Sequence, residues 1–254
     1  MKKLEMEFND LPYAVEEAMN RLRINIKFCG KNTKKILITS SMPDEGKSSV
    51  STNLWKMMAE AGFPTVFVDL DLRKSVIKTR YNVKANEEIK DLGYFLSGQA
   101  EYEDIVYETN VENGYLVPCV NLLENPSSLL EDSRLKELLD RLAEEYRYVI
   151  IDTPPLGSVS DAALVATYCD GAALVVRSGV TPKAIIRHSF QQLEQVNCKL
   201  LGVILNRVEA TSRAYKKYYG KYYKHGYGYG YGEGYGYGYG YGAETREKNK
   251  KKAK

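Results

Sequence analysis

Several kinds of functional site depend on residues that this 254-residue sequence has in short supply. Its two histidines, His188 and His225, leave little from which to build a Ser-His-Asp triad or a zinc site. No apolar run approaches the ~18–20 residues that span a bilayer, and no apolar stretch follows the N-terminal lysines, so we expect a cytoplasmic protein. No CxxC pair occurs among the cysteines, which are expected to be reduced thiols: Cys29, Cys119, Cys169 and Cys198.

Charge is distributed unevenly along the chain. The net charge of the whole chain is +3. Residues 1–210 contain 25 Lys/Arg and 30 Asp/Glu, and residues 211–254 contain 11 Lys/Arg and 3 Glu. An acidic body of net −5 is thus joined to a basic tail of net +8. Basic tails often bind nucleic acid or anionic membranes, but the acidic body of the same protein is an equally suitable partner.

Apolar and helical patterns alternate along residues 13–207. Short runs rich in Ile, Val and Leu predict strands at 34–40, 64–71, 114–118, 148–155, 171–177 and 199–207. Helical spacing predicts helices at 13–28, 46–62, 87–98, 127–146 and 181–197, the last with Thr181 as its N-cap. Apolar strands that alternate with helices indicate an α/β fold, with a mostly parallel sheet covered on both faces. Ligands of such folds bind beyond the carboxyl ends of the strands.

A polar segment, SSMPDEGKSS at 40–49, follows the first of these strands. It matches the phosphate-loop pattern G-x-x-x-x-G-K-[ST], with Ser41 in place of the first glycine. A strand before it and a helix after it favour a phosphate site over a chance match in a loop. Lys47 would reach the β- and γ-phosphates, and the Ser48 hydroxyl would bind Mg²⁺. Backbone N–H groups at the start of the helix would bind phosphate oxygens, namely those of Asp44, Glu45, Gly46, Lys47, Ser48 and Ser49.

Acidic residues end two more of the predicted strands. Asp69 and Asp71, in VFVDLDLR, lie two residues apart and point to the same side of a strand, where two carboxylates repel unless a cation or proton lies between them. Asp152 ends VIIDTPP, as expected for an acid that holds Mg²⁺ directly or through water. Taken separately, the pair could be a solvated strand end and Asp152 a helix cap. Together with the phosphate loop, they predict a Mg²⁺-nucleotide site.

These three motifs resemble the Walker A, A′ and B motifs of the bacterial tyrosine kinases, cytoplasmic enzymes of capsular and exopolysaccharide export. EEAMNRLRINI is similar to the N-terminal helix of that family, NPSSLLEDSRLKELL to the region before Walker B, and DGAALVV and LLGVILN to the last strands. With the C-terminal tyrosines, the resemblance covers about residues 13–242. It implies a P-loop NTPase fold and a protein-tyrosine autokinase that uses ATP and Mg²⁺ and regulates polysaccharide polymerisation and export.

The resemblance assigns roles to individual residues. Lys47 and Ser48 bind phosphate and Mg²⁺, while Asp71 and Asp152 hold Mg²⁺ directly or through water. Asp69 is the base, or the group that orients the incoming tyrosine hydroxyl. Farther from the reacting atoms, Arg73 would stabilise phosphate charge and Asn206 and Arg207 would contact the adenine, although an Asn-Arg pair at a strand end is also typical of a simple turn.

The N-terminal helix departs from the family pattern of Glu, two residues, Arg, two residues, Arg. This chain has Glu17, Asn20 and Arg23 at those positions. In the family this helix packs neighbours into a ring, so Glu17 and Arg23 are candidate oligomer contacts, and Asn20 puts the usual ring contact in doubt. An ordinary charged surface helix is the alternative.

Tyrosine alternates with glycine near the C-terminus, which predicts a disordered tail because glycine removes the side chains that a sheet or helix would pack. We therefore expect an N-terminal helix in 1–33, a kinase core in 34–210 and a flexible tail in 211–254. The expected phosphoacceptors are the 12 tyrosines of the tail: Tyr215, Tyr218, Tyr219, Tyr222, Tyr223, Tyr227, Tyr229, Tyr231, Tyr235, Tyr237, Tyr239 and Tyr241.

The resemblance also implies partners. They are a membrane-anchored activator (the polysaccharide co-polymerase) that recruits the kinase to the inner face of the membrane, a phosphotyrosine phosphatase, and further copies of the chain in a homo-oligomer. One alternative is a division-site or partitioning ATPase (MinD/ParA-like), but those proteins carry a lysine where this chain has Met42. A second alternative is a tail that stacks on single-stranded nucleic acid, which the three acidic motifs oppose; no nucleic-acid partner is expected.

Overall fold

The structure is a computed structural model that describes residues 2–123 and 125–208. The strands are Lys2–Leu4 (β1), Lys35–Ser40 (β2), Thr65–Asp69 (β3), Tyr107–Thr109 (β4), Gly114–Val117 (β5), Tyr148–Asp152 (β6), Gly171–Arg177 (β7) and Leu200–Asn206 (β8). The helices are Tyr13–Phe28 (α1), Lys47–Glu60 (α2), Ile77–Arg80 (α3), Leu92–Leu96 (α4), Tyr102–Ile105 (α5), Ser127–Leu130 (α6), Ser133–Glu145 (α7), Asp161–Ala166 (α8) and Lys183–Gln195 (α9).

One mixed sheet runs through the fold, in the strand order β1-β4-β5-β3-β6-β2-β7-β8. The six strands from β5 to β8 in that order are parallel, whereas β4 pairs antiparallel with β5 and parallel with β1. The predicted α/β class with a mostly parallel sheet is therefore confirmed. The carboxyl ends of β2, β3 and β6 lie side by side in the middle of the sheet, which brings the three predicted motifs to one edge.

Helices cover both faces of the sheet, and side chains along each strand alternate between the two cores. On β2, Ile36 and Ile38 face the core that contains Trp55 of α2, while Leu37 faces the opposite core, which α7 and α8 cover. All three side chains are fully buried. Burial on both faces explains why the central strands are continuous apolar runs.

The structure corrects three predicted elements. The helix expected at 87–98 is only Leu92–Leu96, because the carboxylate of Asp91 caps it by accepting from the Tyr94 N–H. The helix expected at 127–146 is divided into α6 and α7, since Asp132 has extended backbone angles and caps α7. Thr181 is not the N-cap of α9, which begins after Pro182.

The N-terminal segment contains more than the expected helix. Before α1, β1 joins the sheet beside β4, and neither of these two short strands was predicted. No helix within residues 2–123 and 125–208 is both long and apolar enough to cross a membrane. The expected tail and its twelve tyrosines lie outside the described residues, so their predicted disorder stays a prediction.

Candidate nucleotide site

The predicted phosphate loop connects β2 to α2. It turns sharply, with left-handed backbone angles at Asp44 (φ 61°) and Gly46 (φ 92°), so that α2 begins at Lys47. The N–H groups of the first helical turn have no intrahelical partner and carry the positive end of the helix dipole. This placement matches the expected phosphate-binding role of the backbone from Asp44 to Ser49.

The Glu45 side chain holds the phosphate loop to the neighbouring loop after β7. Its buried carboxylate accepts hydrogen bonds from the Met42 N–H (2.7 Å), the Arg177 N–H (3.2 Å) and the Thr181 hydroxyl. The carboxylate thus has three protein donors of its own. Glu45 was predicted only as part of the nucleotide-binding loop, and neither Arg177 nor Thr181 was predicted to take part.

Asn206, at the end of β8, lies directly against the phosphate loop. Its side-chain N–H donates to the Glu45 carbonyl at 2.9 Å, and a Cβ placed on Gly46 would lie 2.2 Å from the same nitrogen. Glycine at position 46 is therefore favoured by its positive φ, and a larger residue there would also displace the Asn206 side chain. Asn206 reaches the predicted site, while the neighbouring Arg207 is exposed.

Ser41 replaces the first glycine of the phosphate-loop pattern without crowding the loop. Its hydroxyl accepts a hydrogen bond from Ser189 of α9 at 2.9 Å in a buried position. The close approach that the missing glycine would otherwise allow is provided by Gly157, whose N–H donates to the Ser41 carbonyl at 3.1 Å. A Cβ on Gly157 would lie 2.4 Å from that carbonyl oxygen.

The predicted acidic residues surround the Lys47 ammonium group. Lys47 Nζ lies 2.8 Å from Asp71 Oδ2, 3.4 Å from Asp152 Oδ2 and 3.2 Å from the Ser48 hydroxyl. Asp69 and Asp152 are paired across β3 and β6. Ser51, which was not predicted, donates to Asp152 Oδ1 at 3.1 Å. Both carboxylate oxygens of Asp152 therefore have a hydrogen-bond partner.

Burial shifts the protonation of this cluster. It raises the pKa of Asp69 to about 8, and the nearby charge of Asp152 adds to the increase although the Ser75 hydroxyl donates to Asp69. Burial also raises the pKa of Asp152, against the attraction of Lys47. For Lys47, burial lowers the pKa, but the charges of Asp152 and Asp71 outweigh burial and the pKa is raised.

The donor set of this cluster fits a magnesium ion. Within residues 2–123 and 125–208, no three or more His, Cys, Asp or Glu side chains form a metal site by themselves. Mg²⁺ in nucleotide sites is usually held by one or two carboxylates together with phosphates and water. The three oxygens that the resemblance assigns to Mg²⁺, from Ser48, Asp71 and Asp152, lie around the Lys47 ammonium group in the structure.

Arg73 is held by contacts with two helices. It forms a two-point ion pair with the buried Asp161 of α8, with Nε–Oδ2 and Nη2–Oδ1 distances of 2.7 and 3.2 Å. The hydroxyl of Ser127 on α6 lies within 3.1 Å of the guanidinium and 3.3 Å of Asp161. In this arrangement Arg73 joins the loop after β3 to two helices. Neither Asp161 nor Ser127 was predicted, because their contacts with Arg73 span 88 and 54 residues of sequence.

The remaining predicted site residues lie elsewhere. Glu17 and Arg23 are partly exposed on α1, and their predicted role in self-association stays a prediction. The twelve tail tyrosines lie beyond the described residues.

We expect Glu45→Ala to loosen the phosphate loop. The change leaves two partly buried N–H groups and one hydroxyl without their acceptor, at a cost of about 2–4 kcal/mol in the free energy of unfolding, and we expect a roughly tenfold rise in the KM for nucleotide. Denaturant unfolding and initial rates check this, with the exposed Glu194→Ala as control. An unchanged KM would show that the loop keeps its shape without the carboxylate.

We expect Arg73 and Asp161 to be energetically coupled. In a double-mutant cycle of Arg73→Gln and Asp161→Asn, measured by denaturant unfolding, the two changes should be non-additive by about 1–3 kcal/mol. The exposed pair Arg141–Glu145 on α7 is the control, with a much smaller coupling expected. Additive effects would contradict the structural role and favour a direct contact of Arg73 with phosphate.

Comparison with known proteins agrees with this geometry. The AAA domain family matches residues 33–176. Tyrosine-protein kinase CpsD of Streptococcus agalactiae is 40% identical over 225 residues, which cover 87% of this chain and 97% of the relative. Among solved structures, the chimerical protein CapA2B2 has a TM-score of 0.72 at 30% identity, covering 80% of this chain and 92% of that one. The kinase domain of the Escherichia coli tyrosine kinase ETK has a TM-score of 0.71 at 30% identity, covering 85% and 80%.

A division-site ATPase is also similar in structure. The septum site-determining protein MinD of Pyrococcus horikoshii, complexed with Mg-ADP, has a TM-score of 0.62 at 25% identity and covers 72% of this chain and 76% of that one. Phosphate loop, buried lysine and acidic strand ends thus define a P-loop nucleotide-binding protein. Within that class, the higher identity to the kinases decides between the two predicted functions. The chain belongs to the bacterial tyrosine kinase family, and it is a protein-tyrosine kinase of the type found in capsule biogenesis systems.

Proposed function

We propose that this kinase uses ATP and Mg²⁺ to phosphorylate the tyrosines of its own C-terminal tail, with transfer between copies. The observation that carries the proposal is the cluster of 12 tyrosines between Tyr215 and Tyr241 in a chain of a tyrosine kinase family. The lysines between these tyrosines would attract the tail to the acidic body, whose net charge is −5.

The chemistry follows from the residues at the strand ends. The backbone of the phosphate loop holds the β- and γ-phosphates, and Lys47 turns from the carboxylates toward them. In its ionised form, Asp69 accepts the proton of the tyrosine hydroxyl as the oxygen–phosphorus bond forms and ADP leaves. Mg²⁺, bound by Ser48, Asp71 and Asp152, would supply charge neutralisation on the phosphates. Asn206 positions the loop and, together with Arg207, would contact the adenine, while Arg73 shapes the loop that carries Asp71.

Phosphorylation would reverse the charge of the tail. Each phosphate adds about −1.5 to −2 at pH 7, so four or five would cancel the tail's net +8. Unmodified tails would then hold copies together, and phosphorylated tails would be repelled by the acidic bodies. Light scattering on the unphosphorylated and fully phosphorylated protein tests this part, and equal masses, where the unmodified form is oligomeric, would contradict it.

In the cell, this cycle would regulate the polymerisation and export of a capsular polysaccharide or exopolysaccharide. A membrane-anchored activator would recruit the kinase to the inner face of the membrane, and a phosphotyrosine phosphatase would reset the tail. The name CpsD and the CapA2B2 chimera support this setting. A homo-oligomer, with Glu17 and Arg23 at its contacts, would bring one copy's tail to another copy's site.

Mixing two variants tests both the acceptors and the direction of transfer. One variant carries Lys47→Met with an intact tail, and the other carries all twelve tail tyrosines changed to Phe (the tail-Phe variant). Incubation with ATP and Mg²⁺ should label the tail of the Lys47→Met chain, as read by mass spectrometry of its peptides. If wild-type chains are labelled but the mixture is not, transfer occurs within one chain. ATP hydrolysis without phosphotyrosine would overturn the proposed function.

A further inference from the structure

Tyr13 differs from every other tyrosine that the structure describes. Its side chain is 76% exposed, at the first residue of α1. The other eight tyrosines within residues 2–123 and 125–208 are buried or partly buried. A tyrosine kinase can act only on a hydroxyl that enters its site, so exposure separates Tyr13 from the rest of the described body.

The buried tyrosines use their hydroxyl groups or rings within the fold. The Tyr102 hydroxyl donates to Glu145 at 2.7 Å, and that of Tyr107 contacts the backbone of Lys90. The rings of Tyr115 and Tyr146 lie 4.6 Å apart. Modification of these residues would require unfolding of their surroundings, whereas Tyr13 is accessible in the folded protein.

The start of α1 is built in a way that allows Tyr13 to be presented to an enzyme. Residues 12–16 are all exposed, and Pro12 provides no side-chain cap. The first turn is closed by the N–H groups of Val15 and Glu16, which both donate to the Pro12 carbonyl. Uncapped helix ends fray readily, and opening this turn would release Tyr13 in an extended segment.

The rest of α1 is fixed, which determines where the phosphate donor must be. Met19 and Ile26 are buried in the core that also contains Trp55 and Met58 of α2. Tyr13 therefore cannot swing far while the helix remains packed. A second copy of the enzyme is the donor that can approach its exposed face.

We propose that Tyr13 is a phosphoacceptor outside the tail, modified by another copy of this kinase. The inference rests on the kinase activity stated above. The Tyr13 hydroxyl oxygen forms a bond to the γ-phosphorus of ATP, the bond from that phosphorus to the bridging oxygen breaks, and ADP leaves with the electron pair. The phenolic proton passes to Asp69 of the acting copy and from there to solvent.

The new phosphate would change one face of α1. At about 100° per residue, Tyr13, Glu17, Ile24 and Phe28 lie within about 60° of one another, and Ile24 and Phe28 are 43% and 82% exposed. A charge of about −2 beside Glu17 would make this face strongly acidic. Tyr13 has the acidic neighbours Asp10, Glu16 and Glu17, so the acidic body of another copy attracts it less than it attracts the basic tail. We therefore expect Tyr13 to be phosphorylated about tenfold more slowly than the tail tyrosines.

Peptide mapping of the full chain tests this proposal. Trypsin releases residues 4–21 as one peptide in which Tyr13 is the sole tyrosine. After incubation with ATP and Mg²⁺, the tail-Phe variant should gain one phosphate on that peptide. Adding Tyr13→Phe should remove the label, while adding Tyr168→Phe, a change at a partly buried tyrosine, should not. A Lys47→Met chain with a separable affinity tag, mixed with the tail-Phe variant and recovered by that tag before digestion, should also be labelled at Tyr13, which establishes transfer between copies.

The outcomes separate this inference from the proposed function. Wild-type protein labelled only between Tyr215 and Tyr241, with no phosphate on residues 4–21, would overturn the role of Tyr13 and leave tail phosphorylation standing. Label on residues 4–21 that survives Tyr13→Phe would also overturn it. Absence of phosphotyrosine from the whole wild-type chain would overturn both.

Discussion

Lys47→Met will lower tyrosine phosphorylation by at least about 100-fold. Methionine keeps most of the length of the side chain but removes the cation that is proposed to neutralise phosphate, and loss of one charged group at a preorganised site typically costs a factor of about 10²–10³. Labelling with ATP and Mg²⁺, followed by phosphotyrosine quantification, measures the effect. Lys56→Met is the matched control, because Lys56 is on the same helix but pairs with the exposed Glu60.

The same substitution should weaken the fold when magnesium and nucleotide are removed by chelation and dialysis. Lys47 is the cation that the structure places among Asp69, Asp71 and Asp152, and removing one partner of a buried ion pair typically costs about 3–5 kcal/mol. The loss should be smaller at pH 5 than at pH 8, since Asp69 and Asp152 have raised pKa values and take up protons more readily. Equal losses at both pH values would contradict this account.

We also expect Asp69→Asn to reduce phosphorylation by at least about 100-fold, because it removes the group proposed to accept the tyrosine proton. Unlike Lys47→Met, however, Asp69→Asn should raise the free energy of unfolding. The carboxyl of Asp69 is fully buried and its pKa is raised to about 8, so the ionised form is costly in the folded chain. Asparagine has nearly the same shape and remains neutral at all pH values.

The direction of the pH dependence follows from proton binding. Asp69 has a pKa of about 3.9 in the unfolded chain and about 8 in the folded one. Between these values the folded protein holds one proton more than the unfolded protein, so this group makes stability fall as pH rises from about 4 to about 8. Below that pH range the contribution of Asp69 to the free energy of unfolding does not change with pH. Above it, Asp69 is ionised in both states, and the full cost of burying its charge lowers the stability of the fold.

Denaturant unfolding in chelator, from pH 4 to pH 9, measures this difference. We expect Asp69→Asn to match the wild type near pH 4 and to exceed its free energy of unfolding by an amount on the order of a few kcal/mol at pH 9. The exposed Asp10→Asn serves as control. A difference that does not grow with pH would show that Asp69 is ionised in the folded protein throughout.

The sequence predicted the central sheet and the motifs at its edge because both depend on local patterns. Apolar runs identify β2, β3 and β6, and the parallel arrangement then brings Lys47, Asp71 and Asp152 together. The contacts of Glu45 and Arg73 could not be predicted in this way. Apart from Met42, the partners described for them are 54 to 136 residues distant in sequence. Nothing in the local pattern shows whether Thr181 donates to Glu45 or caps a helix.

Short elements were predicted less well for a related reason. The strands β1 and β4 have three residues each, too few to show a period, and they are stabilised by pairing with each other and with β5. The helix α4 begins later than predicted because Asp91, which is held by its surroundings, caps it at Leu92. Tertiary contacts outweigh local propensity in these cases.

The position of Asn206 bears on the proposed phosphorylation of the tail. Asn206 ends β8 in contact with the phosphate loop, and Tyr215 follows nine residues later, no more than about 32 Å along an extended chain. A tether of this length holds an acceptor at an effective concentration of order millimolar, which dilution does not change. Transfer to another copy depends on total protein concentration. Diluting the enzyme therefore distinguishes the two routes of the proposed tail phosphorylation, and transfer between copies would have to outcompete transfer within one chain.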